Sequence, residues 1–171
     1  KEAIIGATDL LKKAGRHTEV LELRRLYANQ NGEDASLPDQ WFEICSEMFR
    51  LGKFKLVVPE LVRFLQEYPA YAQLDELNYM LGVSTFYTKD YVNAVNYLKQ
   101  SQQGPNFSNK AQFFIASIFE EQKRTDLAIS QLVDLKANIS FQDTLMVSVQ
   151  DKLKLLYGKE RKFENLTLTF A

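Results

Sequence analysis

The stretch from Trp41 to Pro69 constrains this chain more than any other. Trp41, Ile44, Cys45 and Met48 fall at helical spacing. Gly52 follows, then Phe54, Val57, Leu61 and Phe64 at helical spacing again, and Pro69 closes the stretch. Residues three or four apart share one face of a helix, so the text reads as two amphipathic helices joined at a glycine turn. Comparable text begins near Lys1, Pro38, Asp75 and Asn109, at intervals of 37, 37 and 34 residues. A chain that repeats at such a period makes one helical hairpin several times and buries a core only by stacking the copies. The expected fold is therefore all-α. Hairpins are expected at 1–37, 38–74, 75–108 and 109–142, and a closing helix with room for an incomplete fifth hairpin at 143–171.

The hairpins differ in how fully they carry the pattern. The third has Leu81-Gly82, then Tyr91, Ala94 and Leu98. The fourth has Ala116, Phe119, Ala128, Leu132 and Leu135. The first has Leu11, Gly15, Val20, Leu23 and Tyr27, but Thr8 stands where a small residue is wanted. Cys45, Gly82 and Ala116 are small because two helices cross there and a larger side chain would hold them apart. Gly15, Gly52 and Lys89-Asp90 mark turns within hairpins. Pro38 can open a helix, and Pro69 and Gly104-Pro105 end hairpins. Pro59 is awkward: either it lies in the first turn and its helix starts late, or it kinks the helix. After Asp143, a plausible N-cap, Leu145, Met146, Val149, Leu153 and Leu156 line one face of the closing helix. The text from Lys159 to Ala171, with Phe163, Leu166, Leu168 and Phe170, reads equally as a second helix, a strand or a bound tail.

These positions resemble the tetratricopeptide repeat (TPR) of about 34 residues, with its tryptophan, leucine-glycine, tyrosine, glycine, alanine, phenylalanine and proline sites. Tyr68-Pro69 followed by Leu77 to Gly82 looks like the bacterial periplasmic and outer-membrane TPR adaptors. The resemblance implies a right-handed superhelical solenoid that binds protein segments and rarely catalyses. It also implies a concave groove lined by the first helix of each hairpin, at repeat positions 2, 5, 9, 12 and 13. In the first hairpin these are Glu2, Ile5, Asp9, Lys12 and Lys13, and in the second Asp39, Phe42, Ser46, Phe49 and Arg50. In the third they are Glu76, Tyr79, Val83, Phe86 and Tyr87, and in the fourth Lys110, Phe113, Ser117, Glu120 and Glu121.

That register gathers an aromatic ladder. Phe42, Tyr79 and Phe113 recur in step with the hairpins, and Phe49, Phe86 and Tyr87 lie further along the same helices. Aromatics bring large contact area with few rotors to freeze, so the ladder is the expected anchor for a peptide or helix. Lys12, Lys13 and Arg50 would charge one end of the groove, Glu120 and Glu121 the other, and Val83 would complete the lining. The competing reading is that an aromatic stripe at this spacing is core. The clamp that holds acidic C-termini in some TPR proteins needs lysine and asparagine at positions 5 and 9. Ile5, Phe42, Tyr79 and Phe113, then Asp9, Ser46, Val83 and Ser117, do not supply it.

Other classes find little support. Lys plus Arg number 21 against 22 Asp plus Glu, a formal charge of -1, which gives no reason to expect nucleic acid or an anionic membrane as partner. No apolar run reaches the ~18 residues that suggest a membrane span. Cys45 is the only cysteine, so neither an internal disulfide nor a zinc cluster is expected. His17 is the only histidine and reads as a turn or packing residue. Cys45 has no histidine near it in sequence and reads as a buried, inert thiol. The seven glycines are scattered rather than gathered in a phosphate loop, so neither cofactor nor catalysis is expected. Three Asn-x-Ser/Thr triplets, at Asn106, Asn138 and Asn165, read as accidental. The basic residues Lys152, Lys154, Lys159, Arg161 and Lys162 read as a solvated face.

The first residue is Lys1 rather than Met, which reads as processing or excision of a longer product. Compartment and oligomeric state are open. The expectation is an adaptor or scaffold that binds a protein segment. The alternatives are a chaperone for an exported client, as in type III secretion, and an interface domain of a larger enzyme or secretion machine.

Overall fold

The structure, a computed structural model, describes residues 2–32, 35–104 and 106–160. Expectations placed on Pro105, Arg161, Lys162, Phe163, Asn165, Leu166, Leu168 and Phe170 lie outside the described residues. Nine α-helices and no strand are found among the described residues: α1 (Glu2–Lys13), α2 (His17–Asn31), α3 (Leu37–Arg50), α4 (Phe54–Glu67), α5 (Leu74–Tyr87), α6 (Tyr91–Ser101), α7 (Ser108–Glu121), α8 (Thr125–Asn138) and α9 (Leu145–Lys159). None of them is long and apolar enough to cross a membrane. The helices fall into two compact units, Lys1–Leu74 and Asp75–Ala171.

Four turns, after α1, α3, α5 and α7, close by one backbone device. Gly15, Gly52, Lys89 and Lys123 take φ of 70°, 69°, 69° and 61°. Each donates its N–H three residues back, and the following residue donates five back: Arg16 to Leu11, Lys53 to Met48, Asp90 to Thr85 and Arg124 to Phe119, all at 2.9 Å. That pairing satisfies carbonyls which a helix end leaves open, and it requires a left-handed residue. The sequence marked three of these turns. The fourth, at Lys123, carries no glycine to signal it.

In the first unit the core is Val20, Leu21, Leu37, Trp41, Ile44, Cys45, Met48, Val57, Leu61 and Phe64, all buried. Thr8, the off-pattern residue of the first hairpin, is fully buried, and its hydroxyl bonds back to the Ile5 carbonyl at 2.9 Å. A hydroxyl that finds an acceptor on its own helix can stand at a crossing where glycine or alanine is usual. Pro59 lies inside α4, which starts at Phe54 without delay. Pro59 and Lys55 are exposed, so the carbonyl that loses its partner there can turn to water.

In the second unit Ala116, Ala128, Leu132, Leu135, Ile139, Met146, Val149, Leu153, Leu156 and Tyr157 form one cluster spanning α7, α8 and α9. Helix α9 therefore packs on α7 and α8 through its apolar face. Asp143 accepts from the Leu145 N–H through Oδ1 at 2.9 Å and so caps α9, one residue before the formal boundary at Thr144. Gly82 is where α5 meets α6: a Cβ there would lie 2.6 Å from Leu98 Cγ and 3.0 Å from its backbone nitrogen.

Two sets of substitutions test this frame. Lys123→Gly relieves a left-handed lysine and is expected to raise stability by about 1 kcal/mol in urea unfolding, whereas Gly52→Ala lowers it by about as much. Gly82→Ala forces α5 from α6 and is expected to cost about 2 kcal/mol.

Candidate partner-binding surfaces

In the first unit, Phe42 and Phe49 are half-buried and each rests on a neighbouring ring. Phe42 lies 5.5 Å from Tyr71 and Phe49 5.9 Å, edge-on, from Phe54. Tyr71 is held in turn by its hydroxyl, which donates to Asp39 Oδ1 at 2.8 Å. Lys13 and Arg50 are exposed, and Lys12 stands 3.9 Å from Glu43. The two phenylalanines thus keep part of each ring for packing and part for the surface.

In the second unit the expected residues separate into three groups. Tyr79, Phe86 and Tyr87 gather on α5. Tyr79 lies 5.0 Å from Phe107 and 5.9 Å from Phe114, and Phe86 lies 5.2 Å from Tyr87, 5.9 Å from Tyr91 and 6.2 Å from Phe114. Tyr87 is 52% exposed at the edge of this cluster. Burial, with a smaller contribution from Tyr87, pushes the Tyr79 phenol up to about 12.

Val83 is different. It is 3% exposed, so it belongs to the packing and has almost no surface for a partner. Its side chain is short and uncharged, and sequence register alone could not separate a groove valine from a core valine.

The ladder is corrected at its third rung. The ring set between Tyr79 and Phe86 is Phe114, which the register did not select. Phe113 turns toward the α8–α9 core, and Lys152 Nζ sits 5.5 Å from its ring centre. A one-residue step on a helix rotates a side chain by about 100°, so the Phe113-Phe114 doublet was the available signal.

Of the two acidic residues, Glu120 is engaged within the unit while Glu121 stays exposed. Glu120 receives Lys152 at 2.9 Å and Lys159 at 2.8 Å, and Glu121 stands 3.9 Å from Lys89. Burial alone would raise the Glu120 carboxyl. The hydrogen bonds from Lys159 and Lys152, and their charges, outweigh it and hold the group below its ordinary value. Glu120 is thus engaged by α9 through Lys152, which is mostly buried, and Lys159, which is more than half exposed.

Sequence reasoning missed the charged centre of the first unit. Arg25, 8% exposed, lays its guanidinium 3.6 Å from the Trp41 ring centre and donates to Glu60 Oε2 at 2.9 Å. An arginine within a helix reads as surface, and its partners lie 16 and 35 residues away, so nothing local reported the stack. The side chain can be buried because a cation over an indole face, paired with a carboxylate, recovers part of its lost hydration. Cys45 lies in the same core, and burial, then the Glu60 charge, raises its thiol far above the range of a nucleophile. His17 is 3% exposed, with Nδ1 2.8 Å from the Gly15 carbonyl and 3.1 Å from Lys53 Nζ, and Nε2 3.4 Å from Glu47. These contacts tie the first turn to the second hairpin, a packing role.

The fold is that of the tetratricopeptide-repeat proteins. A crystal structure of MamA matches with a TM-score of 0.70 at 13% identity, covering 95% of this chain and 90% of that one. A Podosopora anserina kinesin light chain protein with nearly identical TPR-like repeats matches at 0.64 and 12%, covering 99% and 90%. YrrB, described as a TPR protein with an unusual peptide-binding site, matches at 0.64 and 16%, covering 97% and 80%. No family model and no curated protein sequence matches the chain.

Two measurements probe these charges. Arg25→Met leaves Glu60, largely but not fully buried, unpaired and is expected to cost about 2 kcal/mol, most of it recovered in Arg25→Met/Glu60→Leu. Glu120→Gln is expected to lower stability at neutral pH by about 1 kcal/mol. Because the Glu120 carboxyl is depressed in the folded state, its contribution is present above its ordinary value of 4.5 and fades as pH falls through the folded value. Wild type and variant should therefore draw together as the solution is acidified below the ordinary carboxylate range, which unfolding curves at falling pH check.

Proposed function

We propose that this chain is a non-catalytic protein-interaction module, an adaptor or scaffold that takes a peptide or helix segment on the aromatic faces of its first-in-hairpin helices. One observation carries the reading: the cluster of Tyr79, Phe86, Tyr87, Phe107 and Phe114, with Tyr87 52% exposed at its edge. Rings already fixed by their neighbours lose little entropy on binding and present wide apolar area, which is how aromatic hot spots work. Phe42 and Phe49, each braced by a second ring, offer the same chemistry in the first unit. Lys13 and Arg50, both exposed, add positive charge there and favour a segment that carries some acidic residues. The likeness to YrrB supports the reading at the level of fold, since that protein is described as having a peptide-binding site.

The test uses Tyr87→Ala and Phe49→Ala, the first at an exposed ring and the second at a half-buried one. Partners are captured from native lysate on wild type and then titrated with both variants, whose folding is checked by thermal unfolding. A folded Tyr87→Ala protein should lose about 2 kcal/mol of binding, some 30-fold in affinity. Unchanged affinity in both folded variants would overturn the assignment of these surfaces.

A further inference from the structure

The first unit holds a cavity of about 500 Å³ that the aromatic reading does not use. Helices α2, α3 and α4 and the turn before α3 supply its walls. Arg25, Asn29, Arg63 and Tyr68 bring polar groups to it, and Leu37 and Pro38 give it an apolar side. The volume lies within the range of about 300–1,000 Å³ typical of ligand sites.

Its two arginines stand in different states. Arg63 is more than half exposed, and its Nε donates to Glu67, one helical turn away, at 2.6 Å. An exposed pair of that spacing is worth about 0.3–0.5 kcal/mol, so a better-placed carboxylate can replace Glu67 easily. Arg25 is more than nine-tenths buried. Its Nη2 is taken by Glu60, but its Nε has no hydrogen-bond partner in the protein. A buried charged donor without an acceptor is costly, and although Nε itself is closed off, Arg25 is one of the residues that line the cavity, so an anion held there lies beside an under-paired guanidinium. Arg25 lies 3.6 Å from the Trp41 centre, so its position is set by the core, while Arg63, at 6.0 Å, stands at the edge of the same ring.

We propose that this cavity is a second binding site and that it receives an acidic side chain, glutamate or aspartate, from a partner segment. The planar fork of arginine matches a carboxylate, and the charge-assisted bonds it makes are the stronger kind. Arg25 is paired with Glu60 and Arg63 with Glu67, so a carboxylate that takes the place of Glu67 on Arg63 restores the local balance, whereas a dianion there leaves one negative charge in excess. Leu37 and Pro38 fit the apolar stem of the entering side chain or its neighbour.

The experiment follows the arginine Nε–H signals of the intact 171-residue chain by NMR. The probes are the capped peptides acetyl-Ala-Glu-Leu-amide and acetyl-Ala-Gln-Leu-amide, with inorganic phosphate as a third. The glutamate peptide should shift the Arg25 and Arg63 signals with a dissociation constant of about 1 mM, and the glutamine peptide should bind at least about tenfold more weakly. Arg63→Gln, a change at an exposed position, should weaken the glutamate peptide by about tenfold while the thermal unfolding of the chain stays as it was. Equal binding of the two peptides, no shift at either arginine, or an unchanged affinity in Arg63→Gln would overturn the site. Tighter binding of phosphate than of the glutamate peptide would overturn its assignment to carboxylates. None of these outcomes bears on Tyr87 or Phe49, so the aromatic surfaces stand or fall separately.

Discussion

Every complete hairpin here depends on a reversal of the backbone through one left-handed residue. A helix cannot simply stop in a packed environment, because its last carbonyls need donors. The turns at Gly15, Gly52, Lys89 and Lys123 supply those donors from the two residues that follow the helix, with the same bond pattern each time. The second helix then starts at a fixed distance from the first, and this fixes which of its residues meet the crossing. Val20, Val57, Ala94 and Ala128 stand at one position of their helices, and all four have 0% exposure. The repeat in the sequence is the trace of that geometry, since a constant turn demands a constant apolar spacing after it.

The parts of the fold governed by such local rules were legible. Apolar spacing located the helices, glycine or Lys-Asp located three of the turns, and the apolar face of Leu145 to Leu156 located the closing helix. The turn at Lys123 was silent because a lysine can be driven into the left-handed region by the bonds around it, at a cost glycine does not bear. Pro59 left two readings open because its cost is offset by tertiary burial of the rest of α4. Val57, Leu61 and Phe64 are wholly buried, and that outweighs one missing helical bond.

Charge was the least legible element, for a different reason. Ion pairs join residues far apart in the chain, and a sequence read along one dimension assigns every lysine and glutamate to solvent. Glu120 meets lysines 32 and 39 residues later, and Arg25 meets a carboxylate 35 residues later. The two cases carry different weight. The Glu120 clamp lies at the edge of the α7–α9 packing, where water still screens it. The Arg25 pair lies against the Trp41 ring in the core of the first unit, where an unpaired member would be expensive, so it restricts how α2, α3 and α4 can pack. That restriction also holds the arginine at the wall of a cavity, and a core constraint thereby becomes a surface property.

The aromatics show how packing and exposure divide along one helix. Register assigned Phe113 and Phe114 by their number in the repeat, but the helix separates them by direction: one ring goes to the core under Lys152, the other to Tyr79 and Phe86. On α5 the same division falls between Val83, which is buried, and Tyr87, which is half exposed. Tyr79 stands between these extremes, and burial pushes its phenol up to about 12. Lys89 Nζ lies 5.9 and 5.8 Å from the Phe86 and Tyr91 rings and Lys110 Nζ 5.5 Å from Phe107, so positive charge edges the apolar cluster and leaves its ring faces as the uncharged part of that surface.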